Sequence, residues 1–158
     1  MRGLDYSTGP PSPSAAKAAG FDFVMRYVGT PGRWKNITAG EYRDMTGAGV
    51  GVALVFENRA GDALADRAAG ARNARAALDD ARSFGWPDDL PIYFAVDQDM
   101  TTESQMRTVV EYMRGAGDVL LSFQGQQRLP LVADTCRELR RCRYRAGGRL
   151  PSFDVICG

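Results

Sequence analysis

The chain has 158 residues, 44% hydrophobic and 25% charged, the proportions of one ordinary globular domain. Its formal net charge of +1 supplies no general attraction toward nucleic acid or an anionic membrane, and no apolar run approaches the roughly 20 residues of a spanning helix. It has no histidine, so Ser-His-Asp triads, Cys-His pairs and HExxH zinc sites are excluded, and any chemistry must rest on carboxylates, Arg, Tyr or Cys.

Residues 3–7 read as a first short strand. Residues 14–19 read as a short helix stopped by Gly20, and residues 21–27 as a second strand. Thr38 and Glu41 have capping-box spacing and open a helix that runs to about Ala48 and stops at Gly49. Residues 50–57 form a nearly continuous apolar strand. Residues 62–84 are Ala-rich with apolar residues at helical spacing, and the pattern stops at Gly85. Residues 91–97 give a fourth strand. Thr102 and Gln105 then open a fourth helix that reaches Met113, with Gly115 just beyond.

Helix, glycine stop, buried strand and polar strand end recur, so residues 1–118 are expected to hold about four βα units. Continuous apolar strands between helices imply the α/β class, either a parallel sheet covered on both faces or a closed βα barrel. Four units are half of a TIM-type (β/α)8 barrel. The alternatives are therefore half a barrel and a small open sheet.

The composition shifts near residue 118. Residues 1–118 carry 13 Lys+Arg against 16 Asp+Glu, whereas residues 119–158 carry 7 Arg against 3 acids. Cys136, Cys142 and Cys157 all lie in that last stretch, at a spacing that fits neither a zinc site nor a disulfide framework. Residues 137–145 hold five arginines, and no apolar strand run follows. The expected division is a βα domain over 1–118 and a basic tail over 119–158. That tail reads either as a short basic helix with coil or as sequence translated out of its ancestral frame.

Polar residues close each expected strand: Asp5 the first, Arg26 and Tyr27 the second, Glu57 the third, Asp97 and Asp99 the fourth. In βα folds, ligand sites form at the carboxyl ends of the strands. Paired carboxylates are the usual apparatus of glycoside hydrolysis, one protonated as the acid and the other ionised. On an extended strand Asp97 and Asp99 point to the same side, about 6.5–7 Å apart at Cα. Strand-end acids also serve as helix starts, and Asp99 ahead of Thr101 and Thr102 fits that simpler role. Arg26 is expected to bind substrate or to pair with Asp5 or Glu57. Tyr6, Tyr27 and Trp34 are either core aromatics or a sugar-stacking platform. Asp97-Gln98-Asp99 lacks the further ligands a metal site needs, so neither a metal nor a cofactor is expected.

Gly3-Leu4-Asp5-Tyr6-Ser7, Gly20-Phe21-Asp22-Phe23-Val24-Met25-Arg26-Tyr27-Val28, Lys35-Asn36-Ile37-Thr38, Val55-Phe56-Glu57 and Ile92-Tyr93-Phe94-Ala95-Val96-Asp97-Gln98-Asp99 occur in this order. Together they resemble the glycoside-hydrolase-like domain of unknown function found in actinobacterial proteins and their phages. The resemblance implies a TIM barrel related to the family-25 glycoside hydrolases, lysozymes that cut peptidoglycan between its sugars. Asp5 matches their first-strand Asp in its Gly-hydrophobic-Asp-x-Ser setting. Asp97 matches the Asp of their fourth-strand Asp-x-Glu, and Asp99 stands where their proton-donating Glu would be. Asp is one methylene shorter, a displacement that catalytic geometry tolerates poorly. The later barrel strands have no counterpart after about residue 118, so the resemblance implies a truncated barrel.

Two functions are therefore expected as alternatives. In one, the chain hydrolyses cell-wall glycan with Asp97, Asp99 and Asp5 as catalytic residues and Arg26, Glu57, Tyr6 and Tyr27 binding substrate. In the other, it is an inactive glycan-binding module or a remnant. Carbohydrate is the expected partner, not nucleic acid or membrane, with self-association through the open sheet edge as a further expectation. No secretory signal is visible in the sequence.

Overall fold

The structure, a computed structural model, describes residues 2–123. Four strands, β1 (Gly3–Asp5), β2 (Phe23–Val28), β3 (Gly51–Phe56) and β4 (Ile92–Phe94), form a parallel sheet in the order β1-β2-β3-β4. Between and after them lie α1 (Pro13–Ala18), α2 (Ala39–Gly47), α3 (Arg67–Ser83) and α4 (Glu103–Phe123). A single 3-10 turn, Asp62–Leu64, precedes α3.

Successive strands lie side by side without reversal of order. Right-handed crossovers then return each helix to the same face of the sheet, whereas a doubly wound sheet must reverse direction. Burial follows this geometry. Val24, Val28, Leu54, Phe56, Ile92 and Phe94 share one face by strand register, and they pack with side chains of α2, α3 and α4. The Phe56 and Phe94 rings stack at 5.0 Å, and Phe94 meets Tyr112 of α4 edge-on at 6.4 Å. Asp5, Met25, Tyr27, Ala53, Val55 and Tyr93 occupy the alternate positions and belong to neither helix-packed cluster. The sheet covered on both faces is thus not what the described residues form. They make an open, one-sided α/β sheet.

The starts of α2 and α4 follow the sequence signals, whereas the helix expected from residue 62 begins only at Arg67, after the separate 3-10 turn. Ser12, Thr38 and Asp66 each accept a backbone N–H with their side chains at the starts of α1, α2 and α3. At α4 both arms of the capping box form: the Gln105 N–H donates to Thr102 Oγ1 at 3.2 Å, and the Thr102 N–H donates to Gln105 Oε1 at 3.0 Å. Gly49 and Gly85 adopt positive φ, 73° and 85°, at the helix stops where that conformation was required.

Two expectations change. Gly115 does not lie beyond the last helix but inside α4, which continues to Phe123. The reason is close packing against α3. A Cβ on Gly115 would lie 1.9 Å from the Arg67 carbonyl oxygen, and one on Gly70 would lie 1.9 Å from that of Tyr112. A helix glycine lowers intrinsic propensity by about 1 kcal/mol, but here it lets two backbones touch, and tertiary packing outweighs propensity. α4 also runs across residue 118, carrying buried Val119 and Leu120. The remainder of the expected basic tail, from residue 124 with its three cysteines, lies outside the described residues.

The second change concerns β4. It ends at Phe94, three residues before Asp97, and only the Ala95 N–H, donating to the Phe56 carbonyl at 3.0 Å, prolongs the ladder. Asp97 and Asp99 therefore sit in the exposed connection to α4 rather than on an extended strand.

Candidate functional site at the carboxyl edge of the sheet

Strand alternation divides the expected site residues into two groups. Asp5 pairs in register with Met25, so Asp5 and Tyr27 share the face turned away from the helices. There the Tyr27 hydroxyl donates to Asp5 Oδ2 at 3.3 Å. The connection after β2 folds back beside this edge: Asn36 bridges Tyr27, and the Ile37 N–H donates to the Tyr27 carbonyl at 2.9 Å. That pairing sets Lys35 above the edge. Its ammonium lies 4.5 Å from the centre of the Tyr27 ring and donates to Glu57 Oε1 at 2.7 Å. Asp5, Tyr27, Lys35 and Glu57 thus come together from β1, β2, the β2–α2 connection and the end of β3.

The electrostatics differ across this group. Loss of water raises the Asp5 carboxyl above its ordinary value, and the nearby Glu57 charge adds to the rise. The Tyr27 hydrogen bond and the Arg26 charge oppose it. Asp5 as a residue remains exposed, so solvent screens part of the effect. Tyr27 is pushed up to about 12, chiefly by desolvation and then by the Asp5 and Glu57 charges, and therefore remains a hydrogen-bond donor at neutral pH.

Arg26 and Tyr6 lie on the other face. Arg26 is 2% exposed and belongs to the alternation that carries Val24 and Val28. It meets neither Asp5 nor Glu57 in an ion pair; its partner is Glu41 of α2. Arg26 Nε donates to Glu41 Oε1 at 2.5 Å, and Nη2 donates to Glu41 Oε2 and to the Lys35 carbonyl, each at 3.3 Å. Nη1 donates to the Tyr6 carbonyl. Tyr6 places its ring 4.2 Å from the guanidinium and donates its hydroxyl to Glu41 Oε1 at 2.7 Å. These three residues form a closed structural cluster, with most donors of Arg26 already committed.

Asp97 and Asp99 are exposed, and neither makes a hydrogen bond or ion pair among the described residues. No group of three or more His, Cys, Asp or Glu that could hold a metal ion gathers among the described residues. No described helix is long and apolar enough to cross a membrane.

Sequence reasoning assigned no role to Lys35 and read Glu41 only as a capping residue. Strand parity held the missing signal, because Arg26 cannot share a face with Tyr27. Asp80 of α3 was also missed. It is buried, and its Oδ2 accepts from the Gly29 N–H at 3.1 Å and from Asn36 Nδ2 at 2.7 Å. It anchors the connection that carries Lys35.

Comparison with known proteins follows the same lines. Residues 14–128 match the family described as Rv2525c-like, glycoside hydrolase-like domain. "Putative peptidoglycan hydrolase Rv2525c" of Mycobacterium tuberculosis is 30% identical over 141 residues, covering 84% of this chain and 57% of that protein. "Uncharacterized protein FadG" of Bacillus subtilis is 27% identical over 113 residues, covering 69% of this chain and 20% of that protein. The crystal structure of the Mycobacterium tuberculosis Tat-secreted protein Rv2525c in complex with HEPES superposes with a TM-score of 0.66 at 29% identity, covering 74% of this chain and 62% of that one. The chain therefore spans less than two thirds of the length of these relatives. By the family match and the likeness in sequence and fold, this chain belongs to the Rv2525c-like glycoside hydrolase-like domain family.

Proposed function

We propose that the domain engages cell-wall glycan at the carboxyl edge of its sheet, as the first half of a TIM-type βα barrel. The observation that carries this reading is the gathering of Asp5, Tyr27, Lys35 and Glu57 from four separate segments at one edge. One-sided helices and unreversed strand order are what successive barrel units require. The relative named as a peptidoglycan hydrolase supports the substrate class.

Within this reading, Asp5, whose carboxyl is raised above its ordinary value chiefly by loss of water, is the acid placed to donate to a glycosidic oxygen. Glu57, balanced by Lys35, is the carboxylate that accepts sugar hydroxyls or faces developing positive charge. Tyr27 lies between them. Asp97 and Asp99 supply further carboxyls from the β4–α4 connection, with Asp97 the closer analogue of the lysozyme Asp.

A catalytically silent, glycan-binding role is the second reading. It is favoured by the unpartnered, exposed Asp97 and Asp99, and by the shorter acid at position 99. Both readings are tested by mixing the full chain with insoluble peptidoglycan and measuring co-sedimentation and released reducing ends. Glycan engagement predicts sedimentation that falls about tenfold or more in Glu57→Gln, the loss of one charge-assisted contact. Release that is abolished in Asp97→Asn and Asp5→Asn but kept in Asp99→Glu establishes hydrolysis. Sedimentation without release establishes the silent module. Absence of both refutes glycan engagement.

A further inference from the structure

On the helix-bearing side, beyond the carboxyl ends of β1 and β2, lies an open pocket of about 760 Å³ that contains none of Asp5, Tyr27, Lys35 and Glu57. Its floor is the Arg26–Glu41 pair, its walls include Pro10, Pro11 and Asp44, and Trp34 stands at its rim. Trp34 is 71% exposed, the most exposed of the large hydrophobic side chains among the described residues. An indole left in water beside a pocket is an unused stacking surface. The chemistry of the floor narrows the ligand. Arg26 is neutralised by Glu41 and has spent donors on Glu41, Tyr6 and Lys35, so it offers no site for an anion. Asp44 is exposed, and its carboxylate, which makes no hydrogen bond or ion pair among the described residues, remains as an acceptor. Flat apolar surface, a charge-balanced floor and a free acceptor carboxylate suit a neutral polyhydroxylated ring.

We infer that this pocket is a second saccharide position, in which Trp34 stacks on a sugar ring and Asp44 accepts its hydroxyls. The inference rests on the glycan reading above and extends it. Trp34 and Lys35 are adjacent in sequence but serve different places, the pocket and the Glu57 edge. One glycan strand can therefore meet both across the β2–α2 connection, and the ligand class becomes an oligosaccharide rather than a single sugar.

The chain contains two tryptophans, and the other, Trp86, is 7% exposed. Trp34 therefore reports on the pocket by fluorescence against a buried reference. The full chain is titrated with N-acetylglucosamine and its linear oligomers of two to six rings, and binding is measured in parallel by calorimetry. The expected result is a shift or quenching of Trp34 emission with affinity rising with oligomer length. Trp34→Ala and Asp44→Asn should each weaken binding of the longest oligomer about tenfold or more, in keeping with the weight of aromatic anchors at interfaces. Because Trp34 is exposed, Trp34→Ala should keep the wild-type circular dichroism and melting temperature. Calorimetric binding that weakens in Glu57→Gln but leaves Trp34 emission and the Trp34→Ala affinity unchanged would overturn the second position while leaving the glycan reading intact. No calorimetric binding by any oligomer would overturn both. A Trp34 response to choline or lysine but not to oligomers would assign the pocket to a cation and overturn the inference as well.

Discussion

Two ion pairs lie within one short stretch of this fold and behave differently. Arg26–Glu41, with side chains 3% and 9% exposed, sits under α2 and is saturated by Tyr6 and the Lys35 carbonyl. Lys35–Glu57, with side chains 11% and 20% exposed, sits at the open edge and leaves Glu57 Oε2 without a hydrogen bond among the described residues. Both pairs place a basic residue beside a tyrosine ring. The difference is unused hydrogen-bonding capacity. A closed cluster fixes the position of α2 on the sheet, whereas a half-used one can still take a ligand. Burial and charge alone would not have separated them.

Breaking the closed pair should have the largest effect. Glu41→Ala leaves a buried guanidinium without its counter-charge and should cost about 3–5 kcal/mol, read by urea denaturation of the full chain. Glu57→Gln, the matching change at the open edge, keeps an acceptor for Lys35 in a less buried pair and should cost less stability than Glu41→Ala while reducing peptidoglycan sedimentation. Equal stability losses in the two variants would erase the distinction between a structural and a functional pair.

Next in size is the α3–α4 contact behind the sheet. Gly70→Ala and Gly115→Ala each force a methyl group into a backbone carbonyl 1.9 Å away. Neither backbone can yield without shifting a helix, so each should lose about 1–3 kcal/mol or more, the range of overpacked cores. Gly47→Ala, in α2 with open space around its missing Cβ, is the control and should not destabilise.

The smallest effect concerns Asp80, which links the two regions by holding Gly29 and Asn36. Desolvation raises its carboxyl above the ordinary 3.8, against the lowering effect of those two hydrogen bonds. The folded state then holds the Asp80 proton more tightly than the unfolded chain does. Its stabilising contribution is full below about 3.8 and is lost as pH rises through the higher folded value. Asp80→Asn keeps an acceptor for both donors and removes the titration. Melting temperatures measured from pH 3.5 to 7 should therefore fall less steeply with rising pH in the variant, after subtraction of the shared acid titrations. A slope identical to wild type would show that Asp80 carries no such linkage.

Period and punctuation made most of the fold legible. The caps at Thr38 and Thr102, the glycine stops at Gly49 and Gly85, and the apolar run that became β3 all depend on neighbours within a few residues. Strand parity was also local. That Asp5 and Tyr6 face opposite ways, and Arg26 and Tyr27 likewise, could have been read from alternation alone; which of them share a face needed the register of β1 on β2. Treating adjacent strand-end residues as one site overlooked it. The Lys35 motif was visible as part of the family resemblance, but nothing in its spacing announced that it would reach Glu57.

The sequence by itself determined the α/β class, the four βα units, the starts of α2 and α4 and the presence of acids near the strand ends, because each follows from short-range propensity and hydrophobic period. Only the tertiary structure decided which of those residues meet. Glu41 comes to Arg26 because α2 folds back over the sheet. Lys35 comes to Glu57 because the β2–α2 connection pairs with Tyr27 and is pinned by Asp80. Gly115 stays inside a helix because α3 lies against it, and β4 stops at Phe94, where ladder pairing with β3 runs out. Each of these outcomes depends on a partner 15 or more residues away, and no local pattern encodes that distance.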